Sequence, residues 1–251
     1  MRPALRLLRG GFLQRSIDEM KRNTFSVFKG EGITGDFADM EIHSFRHPDS
    51  LKNIKVFSDA DTGGFSKVHM DLTPFPLGHP SEDRYYGKFH GNISVELPVE
   101  RPKIQRSGYA AWRTLERGRT LFGRQNWDCD PYNYLALRVK SDGSKYFVNI
   151  QTDSIVETDI HQHRLFAKRV GEWETIHIPF SEFVRTNFGQ VIEPQNEMMR
   201  QKVKTVGIGL IDRIPGPFAL RIDRIWATNT PEPEHVTNIQ RGYTEPEKVP
   251  E

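Results

Sequence analysis

The 251-residue sequence holds one cysteine, Cys129, which excludes an intrachain disulfide framework and any cysteine-rich zinc or iron–sulfur site. It holds no long apolar run. Stretches such as 206–211 fall far short of the roughly 20 residues that a membrane-spanning helix needs. Net charge is also scarce: 35 basic residues against 33 acidic ones leave +2, without the basic excess of a dedicated nucleic-acid binder. Catalytic signatures are missing as well. There is no Gly-x-Ser-x-Gly elbow and no phosphate loop, and Gly207-x-Gly209 lacks the third glycine and the helix of a dinucleotide site. Cys129 lies between Asp128 and Asp130, whose charges raise a thiol pKa and disfavour a nucleophile.

What is present is alternation. Hydrophobic residues make up 36% of the chain, enough for one core at a length that a single β-sandwich can use. Val68, Met70 and Leu72 alternate with His69 and Asp71, and Phe89, Ile93, Val95 and Leu97 with polar neighbours. The same period of two recurs over 135–139, 146–150, 176–178, 206–210 and 218–222. One face buried and one face polar suits antiparallel sheets, and no crossover helices separate the runs. Turn residues punctuate them: Ser141-Asp142-Gly143-Ser144 reads as a hairpin, Asp61-Thr62-Gly63-Gly64 precedes a strand, and Pro215-Gly216-Pro217 divides the last two. The fold class expected is all-β, an antiparallel two-sheet β-sandwich or jelly roll. Residues 181–201 read as the one clear non-strand stretch, a helical turn followed by a surface loop.

The ends differ from the middle. Residues 1–22 carry six basic residues against two acidic ones, with Leu5, Leu8 and Phe12 on one helical side and Arg2, Arg6 and Arg9 turned away from it. That arginine-rich amphipathic pattern fits a mitochondrial targeting segment or a solvated basic end, and could rest on anionic lipid. A short helix is expected over 16–28. Residues 230–251 carry five acidic residues, two basic ones and four prolines, the composition of an extended mobile tail. The expected division is therefore 1–22, a sandwich over 23–229, and a tail over 230–251.

Two constellations stand out within the sandwich. Asp159, His161 and His163 share one strand face, so a carboxylate and two imidazoles converge. They suit a metal only if further ligands arrive from elsewhere, with His177 the nearest candidate; otherwise they form a hydrogen-bonded sheet face. Tyr109, Trp112, Trp127, Tyr132 and Tyr134 gather with Arg113, Asn126 and Asp128. Such a set serves as core, as a protein contact, or as a platform on which sugars stack. Tyr109, Trp112, Arg113, Trp127, Asp159, His161 and His163 are accordingly the partner-binding candidates, with loops 72–84 and 186–200 long enough to reach a partner. No catalytic, cofactor or metal residue is assigned.

Residues 58–66 (Ser-Asp-Ala-Asp-Thr-Gly-Gly-Phe-Ser) and 108–113 (Gly-Tyr-Ala-Ala-Trp-Arg) are similar to the opening motifs of the complex I intermediate-associated protein 30 family, in its fungal form. Residues 135–153, 171–174, 178–180, 205–210 and 222–225 resemble later blocks of the same family in the same order. The likeness extends from about Phe25 to Asn229. It implies a galactose-binding-domain-like sandwich and a non-enzymatic, cofactor-free assembly factor for mitochondrial respiratory complex I. It also implies partners among membrane-arm intermediates and other assembly factors, on the matrix side and peripheral to the inner membrane. The same fold type includes carbohydrate-binding modules, so a glycan-binding accessory protein stands as the alternative.

Overall fold

The computed structural model describes residues 16, 17, 20, 38–76, 84–97, 107–121, 123–211 and 213–231. The basic segment 1–15, nearly all of the helix expected over 16–28 and the acidic residues 232–251 lie outside the described residues. Ser16, Ile17 and Met20 have helical backbone, and the Ser16 hydroxyl accepts a hydrogen bond from the Leu121 N–H at 3.0 Å.

The chain forms two antiparallel sheets. One contains β1 (Met40–Ser44), β3 (Lys67–Pro74), β4 (Tyr85–Ile93), β8 (Tyr134–Lys140), β11 (Trp173–Pro179) and β15 (Gly216–Thr228). Their order is β11-β8-β15-β4-β3. The long β15 pairs β4 through its first half and β1 through its second. The other sheet contains β2 (Ile54–Ser58), β5 (Ala110–Thr114), β9 (Tyr146–Thr152), β10 (Asp159–Arg164), β12 (Val184–Asn187), β13 (Gln190–Val191) and β14 (Val203–Leu210). Its order is β13-β12-β10-β9-β14-β5-β2. A small ribbon of β6 (Arg119–Thr120) and β7 (Gly123–Arg124) stands apart. The all-β antiparallel reading of the sequence holds.

The core follows from the alternation. Phe89, Leu135, Leu137, Val139, Leu220, Ile222 and Ile225 of the first sheet face Tyr146, Val148, Ile150, Val206, Ile208 and Leu210 of the second, all at most 2% exposed. Burying each such side chain contributes about 1.5–3 kcal/mol. Phe45, just past β1, fills the space over Gly87, where a Cβ would lie 2.6 Å from its ring. The backbone there is held by Phe45 N–H donating to the Asp223 carbonyl at 2.9 Å.

Three local expectations are corrected. The turn 141–144 does not close a hairpin: β8 and β9 lie in different sheets, so the turn carries the chain across the sandwich. Asp142 fixes this crossing, accepting from Ser144 N–H at 2.9 Å and from Ala219 N–H of β15 at 2.7 Å, with Gly143 at φ 92°. The strand expected through Leu97 stops at Ile93, because the Ser94 backbone leaves the ladder. Its N–H donates to Ser66 Oγ at 3.0 Å, and Val95 and Leu97 are exposed. Within 181–201 the hairpin β12–β13 replaces the expected loop.

One buried acid joins the two sheets. Asp59 is 2% exposed and follows β2 directly. Its carboxylate accepts from Ser66 N–H and Ser66 Oγ at 3.0 Å each, from Ser107 Oγ at 3.0 Å and from Gly108 N–H at 2.6 Å. Gly64 lies so close that a Cβ there would fall 2.5 Å from Asp59 Cγ. Removing the acid strands several buried donors, each costing about 1–3 kcal/mol. Asp59→Ala is expected to lower the unfolding free energy by at least about 3 kcal/mol, and Asp59→Asn by less; urea denaturation reads both.

His43 of β1 is buried edge-on against Phe45 at 4.6 Å, with Nε2 unpartnered, and burial lowers its pKa to about 4. Below the unfolded value near 6.5, the unfolded chain binds a proton that the folded chain refuses. The contribution is therefore complete above about pH 6.5 and is lost on descending toward pH 4, roughly 3 kcal/mol in all. His43→Leu is expected to flatten that part of the stability profile, measured by urea denaturation between pH 7 and 4.

Candidate functional site

Register decides which residues leave the core of the seven-stranded sheet. Trp112 pairs with Val56 and Ile208, and Ile150 pairs with His161 and Val206, and all of these face inward. The alternate residues Phe57, Arg113, Asn149, Gln151, Ile160, Thr205 and Gly207 face outward. With Glu157, Thr158 and Phe188 they line a groove of about 350 Å³. Gly207 keeps the floor low, since a Cβ there would lie 2.2 Å from the Trp112 carbonyl oxygen.

The floor is a polar network. Gln151 Oε1 accepts from Arg113 Nη1 at 3.0 Å and from Thr205 Oγ1 at 3.3 Å, while Gln151 Nε2 donates to the Glu157 carbonyl at 2.6 Å. Beside it, Asn149 Oδ1 accepts from Gln162 Nε2 at 2.8 Å, and Gln162 Oε1 accepts from Thr186 Oγ1 at 2.8 Å. The amide oxygens are thus engaged. The remaining guanidinium N–H groups of Arg113 and the amide N–H of Asn149 keep their donor capacity. The groove therefore suits an acceptor-rich occupant, such as a backbone carbonyl or a carboxylate, set between the apolar surfaces of Phe57, Ile160 and Phe188.

Phe188 is held at this groove against its own preference. The turn between Asn187 and Gln190 places Phe188 at φ 48° and Gly189 at φ 74°. Left-handed backbone at both positions is the type I′ hairpin geometry, which asparagine-glycine fits and a bulky aromatic does not. The misfit costs about 1–2 kcal/mol, and it displays a ring that is 83% exposed.

Behind the groove lies a second polar group. Asp159 is 3% exposed; its Oδ1 accepts from Asn187 Nδ2 at 2.7 Å and its Oδ2 from Arg185 Nε at 2.8 Å, with Arg185 Nη2 also bonded. The Asn187 and Arg185 hydrogen bonds hold its carboxyl below the usual carboxylate range despite the burial. His161 is lowered by burial and by the Arg185 charge, against the opposing pull of Asp159. His163 Nε2 lies 3.3 Å from Glu182 Oε2, between the rings of Phe166 and Phe183. His177 is on β11 of the other sheet. Among the described residues no three His, Cys, Asp or Glu side chains could hold a metal ion.

The sequence candidates thus divide. Arg113 lies in the groove, and the Tyr109 phenol is half-buried at the entry to β5, raised by burial and by Asp59 and Asp61. Trp112 is 1% exposed and packs on Phe45 at 5.2 Å, so its indole serves the core. Trp127, 8% exposed, exchanges backbone hydrogen bonds with Val203. Asn126 is buried, and the Tyr132 hydroxyl donates to the Ala38 carbonyl at 2.9 Å. Tyr134 belongs to the opposite sheet. Burial, with Asp128 adding to it, pushes the Cys129 thiol up to about 12. Asp159, His161 and His163 do share a face, and that face is the interior. The sequence reading omitted Phe57, Asn149, Gln151, Ile160 and Phe188. The polar alternates of β9 and the Phe-Gly tip were the available signals.

The sequence profile of the family described as complex I intermediate-associated protein 30 matches residues 43–222. The chain is 50% identical over 232 residues to the mitochondrial complex I intermediate-associated protein 30 of Neurospora crassa, covering 87% of this chain and 84% of that protein. It is 30% identical over 195 residues to the mouse protein of the same name, covering 76% of this chain but 56% of that longer one. Among solved structures, a family 11 carbohydrate-binding module from Clostridium thermocellum aligns over 78% of this chain and 98% of its own. The TM-score is 0.50 at 15% identity, a likeness of fold alone. Phe188→Asn is expected to raise the stability of the isolated chain by about 1 kcal/mol by relieving the left-handed strain, read as an increase in the urea midpoint.

Proposed function

Because the chain belongs to the complex I intermediate-associated protein 30 family, we propose that it acts in mitochondria as a non-enzymatic assembly factor for respiratory complex I. In this reading it binds a membrane-arm intermediate on the matrix side of the inner membrane and shields surfaces that are later buried. The observation that carries the reading is the groove on the seven-stranded sheet. A ring held in a strained turn, an arginine with unused donors and an amide network meet there on a rigid support. Rigid sheets with loop-borne anchors are a usual way to build an interface. Strain retained at an exposed aromatic has no benefit for the isolated chain, and a contact made by that ring supplies one.

The groove's chemistry also bears on the glycan alternative. Trp112 and Trp127, the indoles best suited to stacking on a sugar ring, are 1% and 8% exposed. Within the groove, sugar stacking would fall to Phe57 and Phe188.

Native-gel fractionation of mitochondria from cells expressing Arg113→Ala or Phe188→Asn tests the proposal. Both variants are expected to fold, to leave the assembly intermediates and to lower the amount of mature complex I. An anchor of this kind is worth about 2 kcal/mol, or roughly a 30-fold loss of affinity for the intermediate. Normal co-migration of both variants with the intermediates would refute the assignment of the groove. Glycan-array binding by the purified chain, abolished by Phe188→Asn, would favour the carbohydrate reading instead.

A further inference from the structure

The outer face of the six-stranded sheet carries different chemistry. Strand register sets Trp173, Lys140, Arg221, Lys88 and Asp71 side by side across β11, β8, β15, β4 and β3. A neighbouring row sets Thr175, Arg138 and Arg224 side by side. Three directly opposed pairs are therefore like-charged: Lys140 with Arg221, Arg221 with Lys88, and Arg138 with Arg224. Like charges directly opposite across a sheet destabilise it.

Two of the nearby acids, Asp223 and Asp71, are engaged with other side chains, and Glu41 lies across the ladder from Trp226. Asp223 accepts from Arg46 Nε at 2.7 Å and Nη2 at 2.6 Å, with Arg138 Nε at 4.0 Å, and Asp71 is 2.7 Å from His90 Nε2. No ion pair among the described residues involves Lys88, Lys140, Arg221 or Arg224. Arg224 stacks 3.9 Å over Trp226, yet its Nε is buried without a partner, as is Thr175 Oγ1 on the far side of Arg138. Trp173 of β11 packs with Phe75, just past β3, at 5.3 Å and with Tyr86 of β4 at 5.4 Å, so these rings meet across the strands between them.

Arginines, orphaned polar atoms and clustered aromatics are features of a protein contact, and an unneutralised row of cations is complementary to an acidic partner. A lone phosphate fits poorly. The cations are spread over three adjacent strands at about 4.8 Å per strand, and the sheet ladder already uses the backbone N–H groups that would cradle an anion. A bilayer fits poorly too, since Trp226 and Phe75 are 2% and 5% exposed and leave little apolar surface to insert. We propose that this face docks an acidic segment of a partner protein. Its carboxylates pair with Lys88, Lys140, Arg221 and the Arg138–Arg224 pair, and an apolar side chain packs on Trp173. The proposal does not depend on the groove, which lies on the other sheet.

Fluorescence anisotropy with the full chain and a fluorescein-labelled peptide of alternating glutamate and leucine tests it. Inorganic phosphate and vesicles of phosphatidylcholine with phosphatidylserine serve as rival probes. Binding of the peptide is expected to weaken with salt and to fall roughly tenfold in K140Q/R221Q, and less in Lys88→Gln. Relief of the opposed charges is expected to leave the melting temperature of both cation variants unchanged or raised. Peptide affinity indifferent to both variants would overturn the proposal. So would a lowered melting temperature in both, which would make the cations part of the scaffold. Binding to vesicles or phosphate that is lost in these variants while the peptide goes unbound would assign the face to lipid or to a free anion.

Discussion

The two sheets are separate hydrogen-bonded objects, and at one edge they are joined through the Asp59 carboxylate. β2 and β5 belong to the seven-stranded sheet, β3 and β4 to the six-stranded one, and all four begin or end around this acid. Ser66 bonds to Asp59 and to Ser94, past the end of β4, while Ser107 and Gly108 bring in the entry to β5. Hydrophobic burial can hold two sheets face to face without fixing how one sits over the other, because it has no direction. Charge-assisted hydrogen bonds have direction. The register of β5 against β2 and β14, and with it the side on which Trp112 and Arg113 fall, is anchored here. The two stretches that resemble the family's opening motifs, 58–66 and 108–113, are thus the ones that build this joint, so that part of the resemblance marks scaffold before it marks contact.

The buried carboxylates are satisfied, and two of the costs of this structure sit on its outer faces. Asp59, Asp159 and Asp223 each accept several hydrogen bonds in the interior. Outside, Phe188 occupies left-handed backbone, and three pairs of cations oppose one another across strands. Each exterior feature is expected to lower the stability of the free chain, and a partner bound as proposed would relieve it. A scaffold that is overdetermined inside can carry such features without losing its shape. The two faces also differ in what they ask for: one offers amide and guanidinium donors beside exposed rings, the other a row of cations.

Period-two alternation made the strands and the core legible in the sequence, since Val148, Ile150, Ile208 and Leu220 all fall where the pattern puts them. Sheet membership was not legible. A turn such as 141–144 signals that the chain reverses, but β8 and β9 reverse by crossing to the opposite sheet, and the local residues are the same in either case. Aromatic identity misleads for a similar reason: Trp112 and Arg113 are neighbours in sequence and lie on opposite sides of β5. The cation row was beyond sequence reading altogether. Its members come from three strands distant in sequence, and only the pairing of β8, β15 and β4 brings Lys140, Arg221 and Lys88 together. Phe188-Gly189 was readable in principle as a hairpin tip, but a phenylalanine there contradicts the turn's preference and hides the signal.

Interior electrostatics and exterior display are connected through β12. The strand is short and near the sheet edge, and Val184 is exposed, so apolar burial contributes little to its position. What holds it is its two inward residues, Arg185 and Asn187, which both bond to Asp159 of β10. Thr186, between them, faces the other way and bonds to Gln162 of the outer network. The next residue along the chain is Phe188. An exposed ring in a strained turn would otherwise swing or unwind, because a two-residue hairpin at an edge is marginal by itself. Fixing Asn187 from inside and Thr186 from outside leaves the turn one way to leave the sheet, over the groove. The carboxylate that the sequence offers as a metal ligand or contact residue thus acts from behind, setting the geometry of the groove it does not line.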